Sequence, residues 1–286
     1  MSVHTPLSAR YELGNQLERA EASAVYEAWD NHLNRAVALK LIEEPRSRQS
    51  FESALQEART LARLEHPGIL PVYDAGRRAD GSVYYTTRLF HGDALSSFFA
   101  REASLLERLR VFQRLCDTIA FAHEAGVIHR NLKPQSIRVG HFGEVIVLDW
   151  GFSEWLAPPG AEGSSLIAAS PRYTAPEQAG GRSRSVDGRA DVFALGVILE
   201  DLLGNEGSRP LRAIARKASA AEPLDRYQHV IDLAADISRF LDHLPVTAYD
   251  QGLIERMQQF GARHRVLLLV LATYILVRVS LFLLDR

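Results

Sequence analysis

Apolar positions change rhythm along this chain, and the changes divide it. Residues 11 to 92 read mostly as short alternating segments, the spacing of half-buried strands, with one helical pattern from Phe51 to Leu64 that stops before His66-Pro67. Residues 93 to 244 repeat their apolar positions at helical spacing, as in the run Leu109 to His123. Pro158-Pro159-Gly160 and Gly163-Ser164-Ser165 mark a loop inside this second part. Residues 245 to 265 are polar and charged and read as a linker or helix. There is no internal repeat and no low-complexity tract.

Val266 to Leu284 breaks every earlier pattern. It holds nineteen residues, fourteen of them Leu, Ile, Val or Phe. As a helix it would extend roughly 28 Å, near the hydrocarbon thickness of a bilayer. Arg278 interrupts it at a cost of about 2.5–3.5 kcal/mol, which the aliphatic residues outweigh at about 0.3–0.6 kcal/mol each. The expectation is a transmembrane helix over 266–284. The alternative, a buried helix packed on the preceding domain, has against it the lack of a polar face. Arg263, His264 and Arg265 place the preceding domain on the cytoplasmic side. Only Asp285 and Arg286 follow, so the expected far-side tail is very short and carries no sensor domain. Met1 to Arg10 shows no apolar core of a secretory signal.

Composition narrows the function classes. The chain has 286 residues, is 47% hydrophobic and 24% charged, and carries a net charge of −2, which gives no reason to expect a nucleic-acid partner. Its single cysteine, Cys116, lies in an apolar helical run, so disulfide scaffolds and cysteine-rich zinc sites are excluded.

The candidate chemistry lies in motifs that occur in a fixed order. These are Val37-Ala38-Leu39-Lys40, Glu57, His129-Arg130-Asn131-Leu132-Lys133-Pro134-Gln135-Ser136, Leu148-Asp149-Trp150-Gly151 and Ala175-Pro176-Glu177. Asp191-Val192-Phe193-Ala194-Leu195-Gly196 and Arg226 follow. Together they resemble the eukaryotic-type protein kinase superfamily over about residues 11 to 244. The wording of His66-Pro67-Gly68-Ile69 and of Tyr173 to Gln178 is nearest to bacterial Ser/Thr kinases. The resemblance implies an α+β, bilobal protein kinase-like fold, with a small lobe at about 11–92 and a large lobe at about 93–244. It implies ATP and magnesium as cofactors and proteins as partners, another kinase or its substrate among them.

The same resemblance assigns the site residues and exposes their departures. Lys40 is the phosphate-contacting lysine and Glu57 its partner on the helix. Val25 and Ala38 wall the adenine pocket, and Thr87 and Arg138 complete the nucleotide-facing set. Asp149 is the metal-binding aspartate, Lys133 steadies the transferred phosphate, and Arg226 pairs with Glu177. Arg130 matches the arginine that clamps a phosphorylated activation loop, for which Ser164 and Ser165 are candidate phosphosites. Asn131 stands where the family has the aspartate that accepts the substrate's proton, and a neutral amide cannot act as that base. Ser136 replaces the metal-binding asparagine. Glu18, Ala20 and Ser23 occupy the three positions of the Gly-rich loop, and Glu18 adds negative charge where phosphates would sit. Arg138 replaces an aliphatic floor: either its stem packs while the guanidinium turns to solvent, or it fills and recharges the pocket. Lys40, Glu57 and Asp149 are kept either because nucleotide binding persists or because they set the helix position. Ser170 stands where Ser/Thr kinases have a threonine beside the catalytic aspartate. Leu202 to Gly207 runs almost directly into Leu211 to Ala218, so the helix that docks protein substrates is expected to be missing.

These departures point to a pseudokinase, a membrane-anchored scaffold or allosteric partner. A weak Ser/Thr kinase and a nucleotide sensor that does not turn over are the alternatives.

Overall fold

The computed structural model describes residues 5–6, 10–19, 23–42, 48–78, 80–99, 101, 103–155, 170–179, 186–249, 270, 273, 274 and 277. Ala20, Ser164 and Ser165 lie outside them, as does most of the expected span 266–284; within that span Val270, Thr273, Tyr274 and Val277 are helical. Among the described residues no helix is long and apolar enough to cross a membrane.

The small lobe is built on one six-stranded antiparallel sheet: β1 (Thr5–Pro6), β2 (Tyr11–Arg19), β3 (Ser23–Asp30), β4 (Arg35–Ile42), β5 (Val72–Arg77) and β6 (Val83–Arg88), in the order β1-β2-β3-β4-β6-β5. Alternation in β4 sorts its side chains. Val37, Leu39 and Leu41 enter a small core with Tyr11 and Ala28, while Ala38 and Lys40 point from the opposite face. Helix α1 (Arg48–Leu61) packs beside the sheet and carries Glu57, Ala58 and Leu61 inward.

The large lobe is helical: α2 (Leu95–Phe99), α3 (Leu105–Glu124), α4 (Pro176–Ala179), α5 (Arg189–Leu203), α6 (Arg209–Ala218) and α7 (Val230–Leu241). Helix α3 starts at a capping box, in which Ser104 Oγ accepts from Glu107 N at 3.3 Å and Glu107 accepts from Ser104 N at 2.8 Å. Its apolar stripe of Leu109, Phe112, Cys116 and Ile119 is buried at helical spacing, and burial pushes the Cys116 thiol well above its ordinary range. Helix α5 is apolar on nearly every side because other elements surround it. A side chain at Gly196 would meet the backbone N of Ser219 at 2.6 Å, so glycine is what lets the end of α6 lie against α5. Only Gly204 to Ser208 separates α5 from α6, with no helix between them, as the sequence led us to expect.

Short strands β7 (Asp93–Ala94), β8 (Val127–Ile128), β9 (Ile137–Val139), β10 (Val145–Val147) and β11 (Glu154–Trp155) line the seam between the lobes in two small antiparallel sheets. At the other end, Asp236 on α7 accepts from Thr247 N at 2.7 Å, Ala248 N at 3.0 Å and the Tyr227 hydroxyl at 2.8 Å. Val246 is buried alongside. The folded large lobe therefore extends past Leu244 to Tyr249, into a segment whose polarity reads as linker.

Candidate active site

The lobes enclose a cavity of about 480 Å³. Its walls include Val25, Ala38, Leu70, Leu89, Val139 and Val147, and Thr87, Lys40, Glu57, Arg138 and Asp149 reach it. Glu18 and Ser23 also line it. The predicted nucleotide-facing residues are thus together in one place, on elements from both lobes.

Its inner wall is assembled. Lys40 Nζ donates to Glu57 Oε2 at 2.6 Å, which joins β4 to α1. Burial opposes the Lys40 charge, but the Glu57 carboxylate, with Asp149 and Glu18 beyond it, outweighs burial and holds the ammonium above its ordinary value. Tyr85 pairs with Lys40 across β4 and β6, and burial beside the Glu57 carboxylate pushes its phenol well above the usual range. The sequence reading did not pick out Tyr85. Its register opposite Lys40 is the signal, and it becomes visible only once the strands are paired.

Asp149 has φ +63°, a left-handed conformation that a non-glycine residue adopts only when its surroundings impose it. The turn that follows, Trp150–Phe152, drives Trp150 into the core, where the indole Nε1 donates to Val147 O at 3.0 Å. Trp150 lies edge-on to His129 at 4.7 Å between centroids, and Ser153 Oγ reaches Thr60 Oγ1 on α1 at 3.3 Å. Below them Asp191, on α5, accepts from His129 N and Arg130 N at 2.8 Å each and faces His123 Nε2 at 2.8 Å. Burial would raise the Asp191 pKa, yet these donors hold it below the ordinary carboxylate value. Asp191, His129, Trp150 and α1 thus form a continuous column from the large lobe to the helix bearing Glu57.

The predicted catalytic loop is stitched to this column but does not reach the cavity. His129 Nε2 faces Leu148 O at 2.8 Å, Leu148 N donates to Ser136 O at 2.8 Å, and Asn131 N donates to His129 Nδ1 at 3.2 Å. Asn131 is buried, and neither it, Lys133 nor Ser136 lines the cavity. The Ser136 hydroxyl is fully buried, donates to Lys133 O at 2.9 Å and accepts from Lys133 N at 3.2 Å. The side chain that would replace the second metal ligand is therefore committed to the loop's own backbone.

Beyond this loop the Arg226–Glu177 pair forms as the motifs imply. Gln178 Nε2 donates to Arg130 O at 3.1 Å, which ties α4 to the loop. Arg226 grips Glu177 with two hydrogen bonds, at 2.7 and 2.9 Å, and donates also to Ala220 O, Ala221 O and Arg189 O. Ser170 accepts through its carbonyl from Thr174 Oγ1 at 2.8 Å.

These residues fit ATP and magnesium only in part. The apolar walls and Lys40 suit an adenine and one phosphate contact. For a metal, Asp149 supplies a carboxylate, but the Ser136 hydroxyl is taken up locally. The phosphate side carries Glu18, whose carboxylate lies 3.9 Å from the Arg138 guanidinium across the cleft.

Comparison with known proteins agrees with this arrangement. Residues 11–266 match the protein kinase domain family. The serine/threonine-protein kinase PknD of Chlamydia caviae is 30% identical over 296 aligned positions, covering 82% of this chain and 32% of that protein. PknB of Mycobacterium tuberculosis, also a serine/threonine-protein kinase, is 31% identical over 277 positions, covering 84% of this chain and 44% of its own length. The chain thus spans less than half the length of these relatives. It belongs to the protein kinase domain family and is similar to bacterial serine/threonine kinases.

Proposed function

We propose that this protein is a pseudokinase that uses its fold to hold a signalling partner rather than to transfer phosphate. The observation that carries the reading is the catalytic loop. The base position is the amide of Asn131, and the hydroxyl of Ser136 is engaged with Lys133 rather than free for a metal. Loss of a general base alone costs about 10²–10⁴-fold, so the metal defect matters as much as the missing carboxylate. With no helix between α5 and α6, the surface that would dock a peptide substrate is reduced.

A second reading has an observation of its own. The Lys40–Glu57 pair at 2.6 Å and the left-handed Asp149 form the assembled arrangement a nucleotide would need, which favours a slow kinase or a nucleotide sensor. Thermal unfolding with ATP, with and without magnesium, separates the two. The pseudokinase reading expects no magnesium-dependent rise in midpoint at millimolar ATP; such a rise would favour the second.

The proposal also anchors the domain to a membrane, with the kinase-like unit on the cytoplasmic side. Its support is the composition of 266–284 and the flanking Arg263, His264 and Arg265. Alkaline extraction of membranes should leave the chain in the pellet. Release into the supernatant would remove the anchor from the account.

A further inference from the structure

Two departures from the family pattern meet each other across the cleft. Glu18, on β2, is paired with Val25 on β3, and Val25 with Lys40 on β4, so the three share one cross-strand row on the face that lines the cavity. Two strand spacings put Glu18 about 10 Å from Lys40, over the approach to its ammonium. From the opposite side Arg138, on β9, rises out of the cavity floor to within 3.9 Å of the Glu18 carboxylate. The electrostatic effect of Glu18 is felt at Lys40 as well.

The charges around the cavity agree with this geometry. Glu18, Glu57, Asp93 and Asp149 face it against Lys40, Arg88 and Arg138, so with neutral histidines its lining is negative by one charge. Asp93 is paired with Arg101, and the Glu18 carboxylate stays mostly exposed although Arg138 lies 3.9 Å away, so a polyanion entering here meets its negative charge. The cavity also has apolar walls, from Val25, Ala38, Leu70, Leu89, Val139 and Val147, and its volume of about 480 Å³ is within the usual range for small-ligand sites.

We infer that Glu18 acts as the cleft's own anion. It stands in the cross-strand row of Lys40, the residue that would meet a ligand's phosphates, so the cavity takes a flat, phosphate-free ligand of the nucleoside class and rejects the corresponding nucleotide. This deepens, and rests on, the non-transferring function proposed above. Glu18 is thereby a specificity-determining residue, and Arg138 is the partner that positions it.

The test is calorimetric titration of the full chain with adenosine and, separately, with ATP, both without magnesium. For the wild type, adenosine is expected to bind about tenfold more tightly than ATP, the scale of one exposed charge facing a polyphosphate. Glu18→Gln, an exposed substitution that leaves the fold intact, should close that gap by raising ATP affinity about tenfold while adenosine stays within about twofold. Added salt should narrow the wild-type gap as well. Failure of adenosine to bind, tighter binding of ATP by the wild type, or a Glu18→Gln variant that shifts both ligands alike would each overturn the assignment. Because the ratio is read without magnesium and without turnover, its failure would leave the proposed absence of phosphoryl transfer standing, whereas a finding of phosphoryl transfer would overturn both that function and this inference.

Discussion

The two walls of the cleft have diverged by different amounts. The inner wall, where Lys40, Glu57, Tyr85, Asp149 and Trp150 meet, keeps the residues and contacts that set the position of α1. The outer wall carries Glu18, Ser23 and Arg138 and the catalytic loop carries Asn131 and Ser136, each a departure from what the resemblance to kinases implies. Of the kept residues, Glu57, Tyr85 and Trp150 are buried and Lys40 is partly buried and paired with Glu57, so losing one of these leaves a cavity or an uncompensated charge. Among the replaced ones Glu18 and Arg138 are partly exposed and the Ser136 hydroxyl is satisfied by local backbone, while Asn131 is buried.

Substitutions on the inner wall should therefore have the larger effects on stability. Trp150→Ala removes the largest fully buried side chain among the described residues and should cost about 3–5 kcal/mol, measured by chemical denaturation. Glu57→Ala leaves the Lys40 ammonium without its partner in a largely buried site. It should cost about 3 kcal/mol, somewhat below the first. If either variant is as stable as wild type, the inner wall is not the structural unit described here.

The column between the lobes makes a pH prediction. Burial holds the His129 pKa below its ordinary 6.5. The unfolded chain then binds a proton that the folded chain refuses, so this contribution is complete above the unfolded value and is lost as pH falls through it. His66, lowered by burial as well, acts in the same direction. Melting temperature should fall from about pH 7.5 to about pH 5.5, the interval around the histidine pKa. A flat or rising profile over that interval would contradict the buried, neutral state of His129.

In the catalytic loop the expected effect is smallest. Asn131→Asp restores the base but leaves Ser136 engaged with Lys133 and Glu18 in place, so the variant should gain less than about tenfold in phosphate incorporation. Strong phosphorylation by this single variant would erase the distinction between the walls.

Much of this was legible in the sequence because the contacts follow from short motifs. Lys40 with Glu57 and Arg226 with Glu177 could be paired from their motifs alone, and both pairs are formed. The Glu18–Arg138 approach could not be read, because it depends on how the two lobes close and the residues belong to unrelated motifs. Nor could the fate of the Ser136 hydroxyl, since a serine's choice between ligand and backbone is set by local turn geometry. The segment Pro245 to Tyr249 looks like linker because its burial rests on Val246 and on one carboxylate, Asp236, supplied by another element.

The most direct test is incorporation of label from radioactive γ-phosphate ATP with magnesium into the full chain and a generic protein substrate, for wild type beside Asp149→Ala. The account predicts equal, background labelling of both proteins. Labelling of the wild type that disappears in Asp149→Ala would show that the cleft still transfers phosphate and would contradict it.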